Sequence, residues 1–288
     1  MRNEPDARPP FESSALVAAF ATHPDLRVEL LEVTPSTNVV AAQRAREGAA
    51  EGLLVVGDHQ AAGRGRLDRT WETPPGVAVT FSLLLRPNAP AATWPWLPLL
   101  VGHNVAKALA ALGYDAKVKW PNDVLLSVAG DGGSEEQAGE RVERKVAGIL
   151  VERVDTPTGP AAVVGVGINV ATTAEELPVP TATSLALAAR AGAAVPDRTT
   201  VLVAVVSAIR EGFDVWQTGG EEAAERLRSS YLSHCATVDA QVRVDLPGGG
   251  ALTGLAVDVD PDGRLVVRTD DGTERVGAGD VVHVRPAG

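Results

Sequence analysis

Apolar and polar positions along this chain fall into two textures, and the change comes near residue 237. Upstream, apolar stretches of strand length are separated by longer segments with helical spacing. Residues 27–33 and 53–56 read as strands, the second short and buried, and residues 77–85 read as a longer strand closed by Arg86-Pro87. Further strands are expected at 116–120, 124–126, 145–154 and 162–170. Helices are expected at 11–22, at 39–46 with Gly48 as the stop, at 94–112 with Gly113 as the exit, and at about 199–217 and 221–233. Residues 130–144 are rich in glycine and glutamate and read as an exposed, flexible insert. Downstream, short alternating strands near 238–245, 252–259, 264–269 and 281–284 are separated by Gly248-Gly249-Gly250, Asp262-Gly263 and Asp271-Gly272, which is hairpin punctuation. This pattern predicts a small β-barrel appended to an α+β domain, without internal repeats.

Composition narrows the function classes. A length of 288 residues fits one large domain plus a small one, and 45% hydrophobic residues are ample for a core. The formal net charge of −11 argues against sequence-independent binding to nucleic acid. Residues 1–27 hold one short helix, too little for a winged-helix DNA-binding domain, so no DNA partner is expected. The single cysteine, Cys235, excludes an internal disulfide and reads as a small buried hydrophobe. No apolar run reaches the roughly 20 residues of a membrane span, and the proline-rich start has no signal-peptide core. The expected compartment is the cytoplasm, with no membrane contact.

Against the acidic background stands Gly63-Arg64-Gly65-Arg66-Leu67-Asp68-Arg69-Thr70-Trp71. Glycine lets a backbone turn tightly beside a ligand, and arginine's planar fork suits carboxylate and phosphate oxygens. The segment is either a solvated basic turn or an anion grip. Lys119-Trp120-Pro121-Asn122-Asp123 joins two strands through a proline, leaving an Asn-Asp corner that is either an Asx turn or a ligand contact. In Lys145-Val146-Ala147-Gly148-Ile149-Leu150 a lysine opens a buried strand and a glycine follows where a side chain would fill space. Gly165-Val166-Gly167-Ile168-Asn169 ends a strand on an amide. Neither glycine pair completes a dinucleotide fingerprint or a P-loop, the five histidines lack metal-ligand spacing, and no nucleophile elbow is present.

In this order and spacing, these segments, with Ser36-Thr37-Asn38 and Gln60, resemble the biotin–protein ligase family over about residues 30–235. The barrel at 238–286 looks like that family's SH3-like domain, whereas the winged helix of its larger regulatory members has no counterpart here, and the 130–144 insert is longer than a minimal hairpin. The resemblance implies an α+β fold, with a central mixed β-sheet packed with helices, as in class II synthetase-like biotin/lipoate ligase catalytic domains, plus the small barrel. The expected boundaries are an extension at 1–27, a catalytic domain at 28–235 and a C-terminal domain at 236–288.

The implied activity is that of an ATP-dependent ligase, which activates biotin as biotinyl-5'-AMP and passes it to a lysine of biotin carboxyl carrier domains. ATP and Mg2+ are the implied co-substrate and metal. Joining an anionic carboxylate to a triphosphate requires fixed positive charge, for which Arg64, Arg66, Arg69 and Lys145 are available. By the resemblance, Lys145, Arg64 and Arg66 are catalytic, and Ser36, Thr37, Asn38, Gln60, Gly63, Gly65 and Gly148 join them in binding biotin. Arg69, Trp71, Lys119, Asn122, Asp123 and Asn169 fall to the nucleotide, with Trp71 over the adenine. No metal ligand is assigned beyond Asp123, because Mg2+ is held mainly by the phosphates. Trp71 could instead pack the loop base, Ser36 could instead cap a helix, and Asn169 could cap its strand end. The loop at 63–71 is expected to move, since its arginines repel one another without an anion. Two rivals remain, a lipoate– or octanoate–protein ligase of the same fold and a non-catalytic biotinyl-AMP-binding regulator. The resemblance also allows a homodimer paired through the central sheet, and no residue pattern decides it.

Overall fold

The structure, a computed structural model, describes residues 8–67, 69–130 and 141–284. Helix α1 (Ser13–Ala19) leads to β1 (Arg27–Thr34), α2 (Thr37–Arg46) and β2 (Leu53–Gln60), then to a two-residue ribbon of β3 (Gly63–Arg64) with β4 (Thr70–Trp71). Next come β5 (Ala78–Leu85), a 3-10 turn over Ala91–Trp96, α3 (Leu97–Ala111), β6 (Ala116–Lys119), β7 (Asp123–Ala129), β8 (Arg141–Thr156) and β9 (Gly159–Asn169). Three helices follow, α4 (Leu185–Ala188), α5 (Arg198–Thr218) and α6 (Gly220–Ser233). The seven long strands form one sheet in the order β1-β2-β5-β9-β8-β7-β6. Only β1 and β2 run parallel, so the sheet is mixed.

Strand alternation divides the sheet into two faces. Val79, Phe81, Leu83 and Leu85 of β5, with Val164, Val166 and Ile168 of β9, pack into the main core beneath α3 and α5. On the opposite face Leu84, Val55 and Val163 lie under Ala41, Ala42 and Ala45 of α2, whose small side chains let the helix approach closely. Farther along that face the same strands present Thr80, Ser82, Gly165 and Gly167, and there the apolar packing stops.

The C-terminal sheet comprises β10 (Gln241–Asp245), β11 (Ala251–Val259), β12 (Leu265–Thr269), β13 (Gly272–Val276) and β14 (Asp280–His283). It is antiparallel, in the order β13-β12-β11-β10-β14. Its apolar side continues the main core, and two indoles bind the units together. Trp96 Nε1 donates to the Pro261 carbonyl at 2.7 Å, and Trp120 Nε1 donates to the Gly263 carbonyl at 3.0 Å. The Arg228 guanidinium of α6 holds the Asp258 carboxylate.

Several elements differ from the sequence expectations. The helix expected at 11–22 shortens to Ser13–Ala19, and the one at 94–112 opens as a 3-10 turn, where Pro95 lacks the N–H an α-turn needs. The strand expected at 53–56 extends to Gln60, because the polar run Asp58-His59-Gln60 still pairs with β1. Of the insert at 130–144, residues 141–144 belong to β8 and pair with β7; residues 131–140 lie outside the described residues. Among the described residues, no helix is long and apolar enough to cross a membrane.

Candidate active site

The polar half of the α2 face opens into a cleft, roofed by the β3–β4 ribbon and bordered by Gly279 and Asp280 of the C-terminal sheet. Its floor glycines are occupied from above. A Cβ on Gly165 would lie 2.1 Å from Asn38 Oδ1, and one on Gly167 would lie 2.4 Å from the Trp71 indole. Only a hydrogen fits at either place.

At one end a neutral pocket forms where α2 begins. The Thr37 N–H donates to Gln60 Oε1 at 2.8 Å, the Thr37 hydroxyl reaches the same oxygen at 3.1 Å, and Ser82 Oγ lies 2.8 Å from Thr37 Oγ1. Ser36, at the helix start, makes no capping hydrogen bond through its side chain. Its buried hydroxyl faces the cleft.

Cations gather at the other end. Lys145 Nζ lies 2.6 Å from Asp123 Oδ1 and 5.8 Å from the centre of the Trp71 ring. Arg66 Nη1 donates to Asn122 Oδ1 at 3.1 Å, and Asn122 Nδ2 donates to the Ile149 carbonyl at 2.9 Å. Arg69 is paired with Asp280, and Arg64 Nη2 lies 3.1 Å from Glu152 Oε1. Each arginine of the ribbon therefore has a partner of its own, and Arg69 still repels Arg66. Only Arg64 and Arg69 are neutralised by a close carboxylate. Burial lowers the pKa of Arg66, against the opposing pull of Asp123 and Asp280. Burial also lowers that of Lys119, with Lys145 and Arg69 adding repulsion. Two desolvated cations beside a cleft form a site that an anion stabilises.

The remaining candidates have more limited positions. Asn169 is buried and donates through Nδ2 to the Thr183 carbonyl at 3.0 Å. Gly63 pairs with Trp71 across the ribbon, where a Cβ would meet the Trp71 carbonyl at 2.2 Å. Gly65 N donates to the Arg69 carbonyl at 2.7 Å, which tightens the turn. Trp71 Nε1 is buried against Gly167 without a hydrogen-bond partner. Gly148 lines the cationic end, where a Cβ would lie 3.3 Å from Lys145 Nζ, whereas Lys119 stands behind it, close enough to feel Lys145 and Arg69 but outside the cleft lining. The sequence reading missed Ser82, Glu152 and Asp280. Glu152 was within reach, because alternation from Gly148 puts residues 148, 150 and 152 on one face of β8.

A neutral hydrogen-bonding pocket that runs into a cluster of cations, built on a mixed sheet, suits a ligand with an uncharged head and an anionic end. Residues 30–169 match the biotin/lipoate A/B protein ligase family, and residues 239–284 match the biotin protein ligase C terminal domain. The biotin–[acetyl-CoA-carboxylase] ligase of Mycobacterium tuberculosis is 34% identical over 265 residues, covering 90% of each chain. The bifunctional ligase/repressor BirA of Bacillus subtilis is 31% identical over 255 residues, covering 87% of this chain and 72% of that protein. The structure of the biotin protein ligase from Aquifex aeolicus in complex with biotin and ATP has a TM-score of 0.69 at 27% identity, covering 90% of this chain and 99% of that one. The chain belongs to the biotin–protein ligase family, and it is a ligase that uses biotin and ATP.

Proposed function

We propose that the cleft runs both halves of protein biotinylation, with biotin's ring system at the neutral end and the nucleotide at the cationic end. The observation that carries this reading is the joining of Thr37 and Gln60 to Arg66 and Lys145 in one continuous cleft, with Lys119 half-buried beside its cationic end. In the first step a biotin carboxylate oxygen bonds to the α-phosphorus of ATP, and pyrophosphate leaves with the electrons of the broken bond. In the second, a neutral lysine amine of a biotin carboxyl carrier domain bonds to the activated carbonyl carbon. AMP departs and the amine gives up a proton.

Neutral donors and acceptors suit the uncharged ureido group of biotin, which assigns Ser36, Thr37 and Gln60 to it. Lys145, at the junction of the two ends, bridges the biotin carboxylate and the α-phosphate. Arg66 and Lys119 offset the phosphate charge that develops during transfer. Trp71 offers its indole to the adenine, with Asn122 as a polar border; Asn169 stays outside the cleft lining, its amide held by the Thr183 carbonyl. The Mg2+ that accompanies ATP would draw charge from the phosphates when bound, and of the two carboxylates that line the cleft, Asp123 and Asp280, Asp123 beside Lys145 is the one we assign to it. The ribbon covers the adenylate and excludes water. We also assign the chain to the cytoplasm and to no DNA partner, in keeping with its net charge of −11. Two copies can pair along the edge of β8 past Ile149, where β7 no longer runs beside it.

ATP–pyrophosphate exchange tests the reading. Biotin is expected to drive exchange at least a hundredfold faster than lipoate or octanoate. Equal exchange with lipoate would move the chain to the rival ligase class, and no exchange with any acid would make it a binding module.

A further inference from the structure

The two oxygens of Glu152 serve different parts of the molecule. Oε1 takes Arg64 of the ribbon at 3.1 Å, and Oε2 accepts from Asn38 Nδ2 of α2 at 2.8 Å. Asn38, 4% exposed, also donates to the Leu150 carbonyl at 3.2 Å and accepts from Ser82 Oγ at 2.5 Å. Both its donors and its carbonyl oxygen are thus engaged by the protein. Asn38 is a relay, and its role as a direct biotin ligand is given up. Ser82 in turn touches Thr37 Oγ1, and Thr37 fixes Gln60. An unbroken chain therefore runs from Arg64 through Glu152, Asn38, Ser82 and Thr37 to Gln60.

We propose that Glu152 is a positioning residue that couples closure of the arginine ribbon to the geometry of the acid-binding pocket, an inference that rests on that pocket being biotin's. Both links are made together only when Arg64 and Asn38 are in place, so an ordered ribbon and an ordered pocket favour each other. Only a carboxylate serves both. An amide at residue 152 would present one oxygen and one NH2 to two donors, and one link would be lost. Glycine at 165 makes room for Asn38 in this position, since any Cβ there would collide with its side chain. Arg64 thereby acts as an anchor for the ribbon, and Arg66 is the arginine left to face the adenylate.

The test uses the full chain, with Glu152→Gln as the near-isosteric variant and Glu152→Ala beside it. Melting temperatures and pyrophosphate exchange at varied biotin and varied ATP are measured, together with the lifetime of enzyme-bound adenylate. Glu152→Gln is expected to raise the KM for biotin about tenfold and to shorten the adenylate lifetime about tenfold, with the KM for ATP changed less than twofold. Arg64→Ala is expected to shorten the lifetime similarly, and the double variant to be no worse than Glu152→Ala alone. Additive effects of the two substitutions, or a lower melting temperature with biotin KM and adenylate lifetime unchanged, would overturn the coupling. If the unaltered chain shows no biotin-driven exchange, the assignment of the pocket fails instead.

Discussion

The two faces of β5 and β9 are made from the same residues in alternation, yet they do different work. On one face Val79, Phe81, Leu83 and Leu85 interlock with helices and exclude solvent. On the other, Thr80 and Ser82 stand beside glycines on which Asn38 and Trp71, two residues of the cleft, are seated. The apolar face tolerates any arrangement that fills volume, whereas each polar contact on the cleft face depends on the one before it. Damage to the first is expected to appear as lost stability, and damage to the second as altered substrate kinetics.

Paired substitutions on one strand examine this most directly. Leu83→Ala is expected to cost about 2–5 kcal/mol of stability in chemical denaturation, with biotin KM unchanged in the folded fraction. Ser82→Ala, one residue away, leaves the Asn38 carbonyl oxygen unpaired and is expected to cost about 1–3 kcal/mol while raising biotin KM several-fold. Similar profiles for the two variants would erase the distinction between the faces. Lys145→Ala is expected to reduce adenylation about a hundredfold, roughly 2.7 kcal/mol, with Lys107→Ala near normal; single-turnover adenylate formation reads this.

Arg66→Gly loses one charge-assisted contact, about 1.5–3 kcal/mol, and frees the ribbon backbone. Slower specific transfer is expected, together with biotin labelling of bystander proteins by escaped adenylate. A streptavidin blot that shows only the carrier labelled would remove the retention role. The smallest effect belongs to the apolar side, where α3 carries His103, its Nε2 3.1 Å from Ser230 Oγ. Burial, with repulsion from His234 and Lys107, lowers its pKa from 6.5 to about 4. The folded state favours the neutral ring, so this contribution is complete above pH 6.5 and is lost as pH falls from 6.5 towards 4. Partial exposure discounts it to about 1–2 kcal/mol. His103→Gln is expected to flatten acid unfolding over that window, and an unchanged profile would place the acid sensitivity elsewhere.

How much was legible in the sequence follows the same division. Strands with a buried face announced themselves by alternation, and the hairpin glycines marked the C-terminal unit. Strand β13, with Val276 as its one buried residue, carries no apolar signal and exists through its pairing with β12. The ribbon strands are two residues each, too short for any period. The cations could be read as motifs, but which partner each of them takes could not. Arg69 meets a carboxylate 211 positions away, and Ser82 lies inside a strand that reads as wholly buried. Motifs record which groups a site needs; the pairing among those groups is a product of the fold.

The Asp123–Lys145 and Asp280–Arg69 pairs change what substrate binding means for this cleft. A tethered carboxylate acts as a competitor at high effective concentration, so an arriving anion must displace it rather than meet bare charge. Monovalent salts and inorganic phosphate, each offering one weak contact, gain little by that exchange. On the proposed reading, a triphosphate that engages several cations at once is expected to release both aspartates. Binding becomes an ion exchange with an internal threshold, and its dependence on ionic strength is shallower than the number of cations implies. A phosphate titration against ATP-dependent exchange measures that threshold, and strong inhibition at millimolar phosphate would show that the aspartates set none.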